Sequence, residues 1–254
     1  IRVRWLRFLS RISAPLYRLW LKTCNLILTD THTHAELSAG LSGLPLSHYR
    51  VLPVGTDESL FKPILHTTQR KDFLVFFYGL KMTPLHGLNH ILEAAVLLAR
   101  DVPQVTFQIV GGDAATKAQI DAARQKGARI RYTQFVPFNK LAQMMQQSDL
   151  CLGGPFGDTD QARSVITGKT YQSIACARPT IVADSLAYSN FTDWTDCLKV
   201  ALGNGLLLAH KIQWAYSNRD MLPAIGQKGR KLYETSFSTV QIAEQLHSII
   251  TEVV

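Results

Sequence analysis

Short apolar runs alternate along this chain with stretches whose apolar residues recur at helical spacing. Phe73 to Tyr78, Val105 to Val110, Ile130 to Phe135, Leu150 to Leu152 and Thr180 to Ala183 read as strands, with helices between them. This alternation predicts an α/β domain, a Rossmann-like parallel sheet with flanking helices. Gly111-Gly112-Asp113 closes the second strand with a tight turn, and a helix running through Arg100 follows the first. Beyond Asp184 the pattern turns irregular. Leu222 to Val254 reads as one or two closing helices, with Ser236 as an N-cap before the last. There is no internal repeat and no low-complexity tract.

The segment Gly157 to Asp184 carries the most chemistry. It reads as loop, amphipathic helix and buried strand, and it follows a short strand, Asp149 to Gly153, that ends in glycine. Lys169 and Gln172 are three apart and share a helix face, while Ile174, Ala175 and Ala177 pack inward. In an open α/β sheet this order sets the loop and the helix N-terminus at the carboxyl edge of the strands, where ligands bind. Free backbone N–H groups there favour an anion. The pattern therefore points to a phosphorylated small molecule.

Charge changes the picture at one end only. Arg2, Arg4, Arg7, Arg11, Arg18 and Lys22 supply six of the net +8, so the body of the chain is nearly neutral, unlike a nucleic-acid-binding surface with basic residues spread along a face. In that basic segment Trp5, Leu9, Ile12, Leu16 and Leu19 follow an amphipathic helical spacing, divided at Ser13-Ala14-Pro15. Two readings stand: a helix on an anionic membrane surface, or one packed on the rest of the protein. No apolar run approaches the roughly 18 residues of a membrane span, and nothing resembles a cleavable signal peptide. Cys24, Cys151, Cys176 and Cys197 are widely spaced, which indicates buried thiols in a reducing compartment rather than a zinc site or disulfide framework.

Several pieces in order resemble the GT-B glycosyltransferases of the family 4 type. Lys169, Gln172, the small-residue turn Ala175-Cys176-Ala177-Arg178-Pro179 and the strand Thr180 to Asp184 look like that family's donor-binding stretch. Val51-Leu52-Pro53-Val54-Gly55-Thr56-Asp57, running on to Phe61-Lys62-Pro63, looks like its interdomain stretch, and Phe73 to Gly87 like its first strand and following loop. The resemblance covers about Asn25 to the C-terminus. It implies the C-terminal, donor-binding half of the fold over residues 51–254, preceded over 1–50 by a remnant of the acceptor-binding domain, most of which is expected to be absent. It further implies a cytoplasmic enzyme, associated with a membrane if the basic helix binds one, that moves a sugar from a UDP- or GDP-linked donor to an acceptor in polysaccharide or glycolipid synthesis. Neither a cofactor nor a metal is implied. The donor-binding residues so implied are Gly79, Lys81, His86, Gly87, Gly111, Gly157, Asp158, Thr159, Ser164, Lys169 and Gln172; none is assigned as catalytic. The difficult charge is the one on the leaving diphosphate, which cationic side chains and N–H groups stabilise.

The sequence departs from the family at two places. After the first strand, where an arginine and a lysine are usual, stand Leu80 and His86, so diphosphate stabilisation is expected to be weaker or shifted onto Lys81. Of the family's two glutamates spaced by seven residues, the matching positions here are Ser164 and Gln172. Gln172 can still bond a ribose, but Ser164 brings no charge to the sugar. Asp158 and Asp160 read as acids capping the next helix. These departures keep a non-catalytic nucleotide-sugar-binding module in play. A third class rests on Asp30-Thr31-His32-Thr33-His34: after a strand, His-x-His resembles the first metal-ligand pair of amidohydrolase-type barrels, since alternate strand residues point the same way.

Overall fold

The computed structural model describes residues 18–64 and 72–253; most of the basic amphipathic segment, with its expected division at Ser13-Ala14-Pro15, lies outside them. Two parallel sheets form. β1 (Ile27–Thr29) pairs with β2 (Tyr49–Val51), and α1 (His32–Ser42) connects them. The larger sheet takes β3 (Phe73–Gly79), β4 (Val105–Gly111), β5 (Ile130–Thr133), β6 (Leu150–Gly154), β7 (Thr180–Ala183) and β8 (Leu198–Val200) in the order β5-β4-β3-β6-β7-β8, every pair parallel. That is the doubly wound order, with its reversal between β3 and β6.

β3 is apolar throughout because it lies in the middle of the sheet with both faces covered. Phe73, Val75 and Phe77 join one core with Leu88, Ile91, Ala95 and Leu98 of α2 (Leu88–Asp101) and Leu208 and Ile212 of α7 (Gly205–Ser217). Phe76 points the other way, into a second core with Leu141 and Met145 of α4 (Phe138–Gln146), Ile174 of α6 (Gly168–Ala175) and Tyr233 of α8 (Leu222–Ser236). Burying each large apolar side chain contributes about 1.5–3 kcal/mol. α3 (Ala114–Gln125) starts where Asp113 accepts a bond from the Thr116 N–H at 2.9 Å, just after Gly111 and Gly112 turn with positive φ. The last helix, α9 (Thr239–Val253), returns to the first sheet, where Arg50 meets Glu252 at 3.2 Å.

Four expectations are corrected. β5 stops at Thr133, leaving Phe135 72% exposed on the loop after it. The irregular stretch after Asp184 contains an edge strand, β8, and a full helix, α7. Ser236 ends α8 instead of capping α9; it is Ser238 whose hydroxyl accepts from the Gln241 N–H, at 3.4 Å. The pair His32 and His34 lies in the first turn of α1, with Thr31 as N-cap, not on a strand. Two residues apart on a helix, the imidazoles diverge, and the His34 ring instead meets the Asp30 carboxylate at 2.5 Å. Cys151, Cys176 and Cys197 are buried free thiols, whereas Cys24 is partly exposed. No helix among the described residues is long and apolar enough to cross a membrane.

Candidate functional site

In a doubly wound sheet the ligand crevice lies at the carboxyl edge where the strand order reverses, which here is between β3 and β6, at the loops that follow these two strands. Glycine permits their contact. The Gly157 N–H donates to the Leu85 carbonyl at 3.1 Å, and a Cβ on Gly157 would stand 1.9 Å from the Pro84 oxygen. Across the contact Gly87 has φ +62, and a Cβ there would reach within 2.4 Å of the Phe156 backbone. Gly111, at φ +102, abuts Gly79 in the same way: a Cβ would come 2.0 Å from the Gly79 oxygen.

α6 begins over this crevice. The Thr167 hydroxyl, at the cap position, donates to the Gly153 carbonyl at 2.5 Å, so no side chain caps the first-turn N–H groups. The positive end of the helix is thus left without a side-chain cap. From the same turn Lys169 extends between the Phe77 and Tyr78 rings, its Nζ 5.4 and 5.8 Å from their centroids, toward His86 Nδ1 at 3.3 Å. Lys169 is only 5% exposed, which disposes of a solvated surface lysine. Burial brings its pKa down from 10.5 to about 7. His86, in the short turn Pro84–His86, is brought down to about 4 by burial and then by the charge of Lys169, against a hydrogen bond with the Lys81 backbone.

One turn further on, Gln172 Oε1 accepts a bond from the Tyr78 hydroxyl. Burial lifts Tyr78 to about 12, outweighing that hydrogen bond, so the phenol stays protonated and remains the donor. With its oxygen thus engaged, the amide has its N–H groups left for a ligand. The expected shared face of Lys169 and Gln172 is therefore real, and it faces β3.

Asp158, Thr159 and Ser164 sit one step aside, around the short helix α5 (Asp160–Ser164). Thr159, not either acid, is its cap, accepting from the Ala162 N–H at 3.1 Å. Asp158 and Asp160 pair with Arg163 instead. Ser164 turns its hydroxyl back to the Asp160 carbonyl at 2.8 Å, and its own carbonyl takes bonds from Thr31, the cap of α1, and from Thr33 within it. Thr33, Glu36, Asp160, Arg163, Ser164 and Asp184 line a cleft of about 480 Å³ here. Lys81 is exposed. The structure thus gathers Gly79, His86, Gly87, Gly157, Lys169 and Gln172 at the crevice, with Gly111 against Gly79; it sets Asp158, Thr159 and Ser164 beside the cleft and Lys81 on the surface. The sequence reading passed over Tyr78, although a lone hydroxyl ending an apolar strand is a signal for it. Among the described residues no group of three His, Cys, Asp or Glu could hold a metal ion.

Comparison with known proteins agrees with this fold. HepE of Anabaena, solved with UDP and glucose, superposes with a TM-score of 0.74 at 16% identity, over 95% of this chain and 66% of that one. Sucrose-phosphate synthase of Thermosynechococcus elongatus gives 0.78 at 18% identity, over 96% and 62%. These likenesses establish the fold, the Rossmann-like half of a GT-B protein. EpsD of Bacillus subtilis (strain 168), a glycosyltransferase by assignment, is 19% identical over 206 residues, which make up 77% of this chain and 52% of EpsD. The chain thus spans about half the length of that curated relative. The model of the glycosyl transferase-like family matches residues 89–248, more than half of the chain, and the chain belongs to that family.

Proposed function

We propose that the chain is the donor-binding part of a glycosyltransferase, which takes a UDP- or GDP-linked sugar at the crevice between β3 and β6 and passes the sugar to an acceptor hydroxyl. In this reading the diphosphate lies against Lys169 and the first-turn N–H groups of α6, and Gln172 meets the ribose. The observation that carries it is a buried lysine with no acidic partner among the described residues, set at an uncapped helix N-terminus on the carboxyl edge. Such a cation is stabilised by an anion from outside the chain, and one that accumulates charge as its bond to the sugar breaks is stabilised most in the transition state. The reading calls on no cofactor and no metal.

The sheet of β1 and β2 is read as part of the acceptor domain, synthesis of a polysaccharide or glycolipid as the process, and the cytoplasm as the compartment. The basic segment at the N-terminus would then hold the enzyme to an anionic membrane surface near a lipid-linked acceptor. Calorimetry with UDP, GDP and their sugars tests the core of this. Binding tighter than millimolar by at least one is expected, and no binding by any of them at millimolar concentration rejects the reading.

A further inference from the structure

Lys169 and His86 can each carry a positive charge, yet Nζ and Nδ1 stand 3.3 Å apart, and Lys169 is buried between two aromatic rings. A protonated Lys169 donates and does not accept, so the ring nitrogen it faces is then the unprotonated acceptor, and even that single charge is buried with no acid beside it among the described residues. Protonating both would set like charges in contact away from water.

We propose that this pair holds at most one positive charge while the site is empty, and that a nucleoside diphosphate entering the crevice is bound together with a proton taken up by Lys169. This rests on the donor-binding reading above. Among the described residues, the surrounding groups leave the pair as the source of the effect. From β3, Tyr78 is neutral through the whole accessible range. From α6 itself, Tyr171 is buried and raised. From β6, Cys151 is raised to about 12. On α8, which packs along α6, Arg230 pairs with Glu234 at 2.7 Å and bonds the Ala175 carbonyl at the far end of α6. On α5 and the loop before it, Asp158 and Asp160 pair with Arg163. Lys81, on the loop that carries His86, has its side chain on the surface. The low values of Lys169 and His86 agree with the geometry: each is unfavourable as a cation here until an anion arrives.

The test uses UDP-glucose and GDP-mannose, whose esterified diphosphates do not titrate near neutrality. Calorimetry at pH 8 in buffers of different ionisation heat should show uptake of close to one proton per ligand, and affinity should fall nearly tenfold from pH 8 to pH 9. Lys169→Arg, charged throughout, should bind with no proton uptake and a flat profile, whereas His86→Gln, an uncharged acceptor, should keep the uptake. Binding by the parent chain without proton uptake and without a pH slope overturns the proposal. The charge state is also read without ligand, by NMR titration of the Lys169 ε-amine: a midpoint near pH 7 is expected, and one above 9.5 overturns the proposal. Failure of both sugar nucleotides to bind while that midpoint stays near 7 rejects the donor-binding reading and leaves the single-charge pair standing.

Discussion

Replacing Lys169 with methionine should make the protein more stable and less able to bind. The lysine titrates near 7 when folded and at its usual 10.5 when unfolded. Between these values the unfolded chain keeps a proton that the folded chain has released, so stability rises with pH across that window. At pH 7 the burial of this amine costs on the order of 4 kcal/mol, and by pH 8.5 the cost has fallen by about 2 kcal/mol. Lys169→Met keeps most of the side chain's volume and removes the charge. It leaves His86 Nδ1 without its donor, which returns about 1–2 kcal/mol of the gain.

The slope is therefore the sharper test than the offset. Urea denaturation of both proteins between pH 6.5 and 8.5 should show the advantage of the variant shrinking by about 2 kcal/mol as pH rises. The buried thiols Cys151, Cys176 and Cys197 are held well above the usual thiol range and make stability fall in alkali. They are common to both proteins and cancel in the difference. Parallel stability profiles would refute the assignment of Lys169 as a destabilised buried amine. The same variant should bind UDP or GDP about one to two orders of magnitude more weakly, the worth of one charge-assisted hydrogen bond.

Gly157→Ala puts a methyl group into the Pro84 carbonyl, and thermal or urea unfolding should show a loss of at least about 2 kcal/mol as the two loops are forced apart. Tyr78→Phe removes the donor that orients Gln172 and should cost about 1 kcal/mol of stability; unchanged stability and nucleotide affinity would mean the contact is idle. Gln172→Ala should weaken nucleoside and nucleotide binding alike in calorimetry, whereas Lys169→Ala should spare the nucleoside. Elemental analysis should find no stoichiometric zinc that a His32→Ala/His34→Ala double variant removes, since the two rings diverge on α1.

The central strands were legible because parallel strands covered on both faces are apolar without interruption, and Phe73 to Tyr78 has no other plausible reading. β8 was not, since three residues at the sheet edge, Leu198, Lys199 and Val200, carry too short a pattern to stand out from a loop. The segment Asp30 to His34 misled for a local reason: Thr31 bends out of the strand and caps a helix, and β-branched residues around it look strand-like until the cap forms. The face shared by Lys169 and Gln172 followed from helical spacing alone. The burial of Lys169 did not, because it is made by the loop carrying His86, a partner 83 residues away.

That long-range contact changes what the substitution at position 86 means. Read along the chain, histidine in place of a lysine is a lost charge, with Lys81 the nearest replacement. In the folded protein Lys81 is on the surface, and His86 lies directly against Lys169. A second lysine there would oppose the first in a pocket that already disfavours one ammonium by burial. A neutral imidazole instead satisfies one N–H of the ammonium and adds no repulsion. In the donor-binding reading proposed above, an incoming diphosphate would therefore meet one amine held by a fixed acceptor, in place of two amines that repel each other.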